Sequence, residues 1–182
     1  MAMLAAPSKP EFVPDSTPPP TAAVQKLLVL GLGNDVLTDD AIGLQVARRL
    51  QVELADQPAI ELRETTEMGL ALLDYISGYG AVVIVDSVQT GQAPAGFVHE
   101  LDTAALKQLS GRTPHFLGLG ETLALGRQLG LAMPDQVKVF AVEVSDPFTL
   151  GTQMTPALQA ALPGITERIA AAVRAIAAKP TR

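Results

Sequence analysis

Short apolar runs alternate with helical patterns along most of the chain. Five runs have the composition of buried β-strands, at Leu27–Leu30, Ala59–Arg63, Ala81–Val85, Gly96–Leu101 and Val137–Val142. Apolar spacings of three and four predict helices that begin at Thr38 or Asp39, over Met68–Ile76, over Pro114–Leu129, and from Thr155 to Ala178 with an interruption at Leu162-Pro163. Strands that alternate with helices are typical of a sheet covered on both faces. The pattern therefore predicts an α/β domain.

The segment Leu27–Gly43, LLVLGLGNDVLTDDAIG, connects the first strand to the first helix through a glycine turn. Gly31 and Gly33 permit positive φ and the close approach of another backbone. A dinucleotide site needs GxGxxG, whose third glycine lets helix and strand pack closely, but Val36 occupies the third position here. A bare GxG occurs in many α/β turns and is weak evidence for a nucleotide site. Because the third glycine is replaced by Val36, this turn argues against a nucleotide-binding protein.

Acidic residues crowd the start of the first helix. Asp35, Asp39 and Asp40 lie where unpaired amides and the helix dipole stabilise a carboxylate by roughly 0.3 to 1 kcal/mol. We interpret Thr38 and Asp39 as capping residues. Capping explains Asp40 less well, because Asp40 lies one residue inside the predicted helix.

Composition excludes several classes of function. The chain has 182 residues, no cysteine and a formal net charge of -6. The lack of cysteine excludes disulfides, thiolate nucleophiles, zinc sites of the thiolate kind and iron–sulfur clusters. The negative charge, without a long basic cluster, argues against a nucleic-acid partner. The length suits a single domain.

The first 25 residues differ from the rest of the chain. They are rich in proline and lack apolar periodicity, so residues 1–25 are predicted to be a disordered arm and residues 26–178 a single domain. The N-terminus has no apolar segment long enough for a secretory signal, and no run reaches the roughly 18 residues that a transmembrane helix needs. We expect a cytoplasmic protein without a membrane partner.

Three candidate site residues fall at one end of the predicted sheet. Asp40 follows the first strand, Asp86 ends the third, and His115 lies in the first turn of the helix after Thr113-Pro114. Ligands of such sheets gather beyond the carboxyl ends of the strands. Each residue also has a structural explanation, as a helix-start carboxylate, a strand-end cap and a surface residue. Together, two carboxylates and an imidazole predict a metal site with open positions, and we expect Asp86 and His115 at its solvent-facing rim.

The remaining chemistry of the sequence is limited. His99 falls on the predicted edge strand and is interpreted as a solvated cross-strand residue outside the cluster. Neither the GxSxG of a serine nucleophile elbow nor the HExxH of a zinc helix occurs. Any hydrolysis must therefore use water or a metal ion.

At these residues the chain resembles the hydrogenase maturation endopeptidases, which trim the large subunit of nickel–iron hydrogenases. The resemblance spans everything but the arm. It rests on LVLGLGNDVLTDDAIG at Leu28–Gly43, on VDS at Val85–Ser87 with Gly91 and Pro94-Ala95-Gly96, on TPHFLGL at Thr113–Leu119, and more weakly on Asp146-Pro147, Gly151, Met154-Thr155-Pro156 and Ala161-Leu162-Pro163.

The resemblance implies a fold and a site. The fold is a three-layer α/β/α domain with a five-stranded, mixed and mainly parallel sheet in the order 2-1-3-5-4, in which strand 4 is antiparallel. The site is a metal-contacting and catalytic trio that falls on Asp40, Asp86 and His115. Family members carry Glu or Asp at the first of these positions, so Asp40 is an allowed variant whose side chain is one methylene shorter.

The resemblance also implies an activity, which is aspartyl-type endoproteolysis of the large-subunit precursor of a nickel–iron hydrogenase. The enzyme removes a short C-terminal extension once nickel is in place. An oxygen and imidazole site does not select nickel over copper or zinc. We therefore expect nickel to be supplied by the substrate rather than permanently bound, and the protein to be a monomer when free.

Two other functions use the same residues. A nickel-binding accessory protein would employ the trio without cleaving a peptide, although three ligands are few for holding a labile metal tightly. A zinc hydrolase would hold its metal permanently. Metal analysis of the purified protein separates these functions, because the maturation hypothesis expects little bound metal.

Overall fold

A computed structural model describes residues 26–102 and 118–179, and within them five strands form one sheet. The strands are β1 (Leu27–Leu32), β2 (Ile60–Thr65), β3 (Ala81–Val88), β4 (Val98–Asp102) and β5 (Gln136–Glu143). Their order is β2-β1-β3-β5-β4, and only the β4–β5 pairing is antiparallel. The predicted order and the antiparallel edge strand are confirmed.

Helices cover both faces of this sheet. They are α1 (Ile42–Glu53), α2 (Leu72–Ile76), α3 (Leu119–Gln128) and α4 (Pro156–Ala177), with short 3-10 turns at Asp39–Ala41 and Gly69–Ala71. One core packs α1 and α4 against the sheet, and a second core packs α2 and α3 against the opposite face. The three-layer α/β/α architecture predicted from the family resemblance is therefore present.

The interior strand β1 is apolar because both of its faces are buried. Leu27 and Val29 belong to the core under α1 and α4, whereas Leu28 and Leu30 belong to the core under α2 and α3. A strand with helices on both sides cannot alternate polar and apolar residues. The continuous apolar run in the sequence thus identifies a strand in the interior of the sheet.

The last helix is continuous, and the predicted interruption at Leu162-Pro163 is wrong. Pro163 lies inside α4 and is exposed. A proline in a helix interior costs roughly 3 kcal/mol, because it removes one hydrogen bond and crowds the preceding turn. Leu162, Ile165 and Ile169 are all buried on the other side of this helix. Their burial, at roughly 1.5–3 kcal/mol for each side chain, outweighs that cost.

Two other boundaries differ from the prediction. Strand β3 continues to Val88, so Asp86 lies inside the strand rather than at its end. Helix α3 begins at Leu119, after Gly118 at φ 83°. The residues before Gly118 in the predicted Pro114–Leu129 helix, like the predicted N-terminal arm, lie outside the described ranges.

Within residues 26–102 and 118–179, none of the helices combines the length and apolar character needed to cross a membrane.

Candidate active site

Three glycines bring the first strand and the first helix into backbone contact. A Cβ atom on Gly43 would lie 2.1 Å from the carbonyl oxygen of Leu32 and 2.4 Å from that of Val85. On Gly31 it would lie 2.3 Å from the carbonyl oxygen of Gly43. Gly33 has φ 150°, and a Cβ there would lie 2.1 Å from the carbonyl oxygen of Asp40. Gly43 therefore provides the close helix–strand packing that a third glycine provides in a dinucleotide loop, at a later position in the chain.

This contact holds Asp40 against the end of β3, beside Asp86. Asp40 and Asp86 are both buried, with exposed fractions of 2% and 0%. Ser87 connects them: its hydroxyl donates to Oδ1 of Asp40 at 2.6 Å, and its N–H donates to Oδ1 of Asp86 at 2.8 Å. The expectation that Asp86 lies at a solvent-facing rim is therefore wrong, because β3 extends past it and neighbouring elements cover it.

Asp39 has a different role from Asp40, although the two are adjacent in sequence. Its carboxylate accepts hydrogen bonds from the N–H groups of Ser145, Asp146 and Thr155 at 3.2, 3.0 and 2.7 Å, and from the Thr155 hydroxyl at 3.1 Å. These partners belong to the loop after β5 and to the start of α4. Asp39 thus attaches the loop after β1 to the loop after β5 and to the start of α4. Asp40 instead accepts a hydrogen bond from Ser87.

The same two loops are joined by main-chain hydrogen bonds. The N–H of Thr38 donates to the carbonyl of Thr149 at 3.0 Å, and the N–H of Gly151 donates to the carbonyl of Val36 at 3.1 Å. The Thr38 hydroxyl donates to the carbonyl of Asp146. Neither Thr38 nor Asp39 caps the first helix with its side chain, so the capping interpretation is wrong. Their side chains bind the neighbouring loop instead.

Arg48 holds the outer side of the loop after β1. Its guanidinium contacts the carboxylate of Asp35 at 2.6 Å and that of Glu64, at the end of β2, at 2.7 Å. The hydrogen bonds that Arg48 donates, first to Asp35 and then to Glu64, raise the pKa of Arg48 above its ordinary value. Arg48 and Arg49 are both exposed, and Asp35 forms an ion pair rather than part of the candidate site.

His99 is paired rather than solvated, which corrects the interpretation from sequence. Its Nε2 lies 3.0 Å from Oε2 of Glu143, and only 19% of its side chain is exposed. Glu143 also accepts bonds from the N–H and hydroxyl of Thr90 and from the N–H of Gly91. Burial acts to raise the pKa of Glu143, but the Thr90 hydroxyl, His99 and the two N–H groups together lower it below its ordinary value. His99 and Glu143 thus anchor the loop after β3.

We expect Glu143→Gln to destabilise the protein by about 2–3 kcal/mol at pH 7, because a carboxylate in charged hydrogen bonds is replaced by an amide. A carboxyl whose pKa is lowered on folding stabilises the protein above its unfolded pKa, and that contribution is lost as pH falls through the folded pKa. The difference between wild type and Glu143→Gln should therefore shrink from pH 5 to pH 3, measured by urea unfolding. Glu100→Gln, which removes an exposed surface charge on β4, is the control. An unchanged difference across that pH range would contradict the prediction.

The structure places two of the three predicted site residues together. Asp40 and Asp86 meet through Ser87, whereas His115 belongs to residues 103–117, outside the described ranges. Within residues 26–102 and 118–179, no group of three or more acidic or histidine side chains is placed to hold a metal ion. Buried carboxylates are stabilised by hydrogen-bond donors or by a cation. Asp40 and Asp86 offer oxygen ligands that suit a divalent ion bound partly by other groups.

Comparison with known proteins assigns this chain to a family. The family model HycI, hydrogenase maturation protease, matches residues 44–172. The chain is 26% identical over 151 residues to the hydrogenase 2 maturation protease of Escherichia coli (strain K12), covering 82% of this chain and 91% of that protein. It is also similar to the structure of the hydrogenase maturating endopeptidase HybD from E. coli, with a TM-score of 0.68, 25% identity and coverage of 83% and 93%.

A hydrogenase maturation protease HycI from Thermococcus kodakarensis KOD1 shares the fold, with a TM-score of 0.62 over 82% of this chain and 93% of that one, at 24% identity. The chain belongs to the family of hydrogenase maturation proteases. It is thus a peptidase, and its sheet has the fold of the family. The matched range includes Asp86 and His115 and begins just after Asp40.

Proposed function

We propose that the protein removes a short C-terminal extension from the nickel-loaded large-subunit precursor of a nickel–iron hydrogenase. In this proposal Asp40, Asp86 and His115 contact the nickel that the precursor carries. The proposal also has the enzyme acting in the cytoplasm, as a monomer when free.

One observation carries this proposal: Asp40 and Asp86 are buried next to each other and joined by Ser87 in a hydrogenase maturation protease. Removing two carboxylates from water is costly unless hydrogen bonds or a cation compensate. A fold that maintains such a pair has a use for negative oxygen ligands at that place. A metal ion delivered by the substrate is a suitable partner for them.

The chemistry of the ligands supports a substrate-borne ion rather than a resident one. Oxygen and imidazole ligands follow the ordinary affinity order of divalent metals, so copper and zinc would compete with nickel for a permanent site. In this proposal the precursor, and not the peptidase, selects nickel over copper and zinc. Asp40 and Asp86 bind and orient the presented ion, which brings the scissile peptide to a defined place. There the ion can polarise the peptide carbonyl or activate a water molecule.

The test compares nickel-loaded and nickel-free precursor. Each is incubated with the purified protein, without added metal or ATP, and intact masses are measured. We expect a single C-terminal peptide to be lost from the nickel-loaded sample alone. Serine and cysteine protease inhibitors should have no effect, because the chain has no cysteine and no GxSxG serine.

Three other results would change the proposal. Equal cleavage of both precursors would remove nickel as the recognition element and leave the peptidase activity. Failure to cleave either precursor, across several hydrogenase partners, would favour a nickel-binding accessory protein. Stoichiometric zinc in the purified enzyme would contradict delivery of the metal by the substrate.

A further inference from the structure

Ser87 is the residue through which the two site carboxylates are connected. It is 1% exposed and lies on β3 directly after Asp86. Its hydroxyl donates to Asp40 across 47 positions of sequence, and its own N–H donates to the neighbouring Asp86. Only the first of these bonds depends on the serine side chain. Replacing the hydroxyl therefore removes the bond to Asp40 and leaves the main-chain bond to Asp86 in place.

We propose that Ser87 is a positioning residue that fixes the carboxylate of Asp40 and that makes aspartate, rather than the longer glutamate, the working residue at position 40. The inference rests on the proposed function, in which Asp40 contacts nickel. A buried carboxylate oxygen held at 2.6 Å by a hydroxyl has little freedom to rotate. Ser87 therefore sets the direction in which Asp40 presents its carboxylate.

The same distance limits the side chain at position 40. Glutamate adds one methylene, which moves the carboxylate about 1.5 Å further along the side chain. Asp40 is 2% exposed, and the Ser87 hydroxyl already lies at hydrogen-bond distance from it. A glutamate pointing the same way collides with that hydroxyl, because protein interiors leave few voids to absorb the added atoms. Removing the hydroxyl makes room for the longer side chain.

Asp40 and Ser87 thus act as a matched pair, and the test is a set of four proteins: wild type, Ser87→Ala, Asp40→Glu and the double variant. Three quantities are measured on each: the rate of precursor processing, the Kd for added Ni²⁺ by titration calorimetry of the free protein, and the Tm. Ser77→Ala is the matched control, since the Ser77 hydroxyl donates to the carbonyl of Leu73 at 2.7 Å, away from the site.

We expect each single variant to slow processing about 10-fold or more and to weaken Ni²⁺ binding similarly, which is the usual effect of losing a residue that orients a metal ligand. Asp40→Glu alone should also lower the Tm by about 5 °C through overpacking. The double variant should return to within about threefold of wild type in processing and Kd, and most of the Tm should return, because the clash is relieved. Ser77→Ala should leave processing and Kd unchanged.

Additive effects of the two substitutions on Tm and Kd would overturn the inference, because Ser87 would then act independently of Asp40. Wild-type values for Ser87→Ala in all three measurements would overturn it as well. The proposed function fails separately, if wild type itself does not process the nickel-loaded precursor. In that case the Kd and Tm of the four proteins still decide whether Ser87 positions Asp40.

Discussion

Asp86→Asn should abolish processing of the nickel-loaded precursor and leave the protein folded. Asparagine has almost the same volume as aspartate, and its carbonyl oxygen can still accept the N–H of Ser87, which now bonds Oδ1 of Asp86. The negative charge at the fully buried position is lost. Since loss of a group that merely orients a metal ligand costs 10- to 100-fold, loss of the charged ligand itself should cost at least about 100-fold.

The measurement is the single-turnover rate of C-terminal peptide release, followed by intact mass, with circular dichroism and Tm as the check on folding. Asp74→Asn is the matched control, because it makes the same replacement at an exposed position on α2. It should process at the wild-type rate. His115→Ala is expected to behave like Asp86→Asn if the third ligand is assigned correctly. Wild-type processing by Asp86→Asn would show that the carboxylate has no part in the reaction.

Gly43→Ala should lower the free energy of unfolding by more than about 3 kcal/mol, which exceeds the usual cost of overpacking a core. The added carbon would lie 2.1 Å from one strand carbonyl oxygen and 2.4 Å from another, and neither main-chain group can rotate away. Helix α1 would have to move off β1 and β3, which would also displace Asp40. Urea unfolding measures the loss of stability, and a steep loss of processing should accompany it.

The control for this substitution is Gly164→Ala. Gly164 is also helical, in α4, but nothing lies within 4 Å of the position that its Cβ would occupy. Alanine there should stabilise the protein, by up to about 1 kcal/mol, through its higher helix propensity. Equal stability changes in the two variants would show that the backbone contact of Gly43 can relax.

The pattern of apolar residues predicts much of this fold. The continuous runs at β1 and β3 locate strands buried on both faces, and the spacing of Ile42, Val46 and Leu50 gives the buried face of α1 correctly. The order of the strands came from the family resemblance and not from periodicity. Pro163 misled the prediction because local propensity disfavours a helix there, whereas the burial of α4 decides the outcome.

The site is harder to read from sequence, because its connections are not local. Asp40 and Asp86 can be proposed from their places after and along two strands. Ser87 cannot, since its hydrogen bond to Asp40 depends on how α1 packs against β3. His99 and Glu143 illustrate the same limit: alternation placed His99 correctly on an edge strand, but its pairing depends on the register of β4 against β5. Side-chain partners are set by tertiary packing, which periodicity does not encode.

The hydrogen bonds of Asp39 also determine when, during synthesis of the chain, the loop that carries Asp40 can be anchored. Its bond to the N–H of Thr155 spans 116 positions, so the loop bearing the adjacent Asp40 lacks this anchor until the last helix has begun to emerge. At about 5–20 residues per second, synthesis of that interval takes roughly 6 to 23 s. During this time a ribosome-bound fragment carries the glycine turn and Asp40 without this anchor. The loop that carries Asp40 therefore gains this anchor only after the start of α4 has been made.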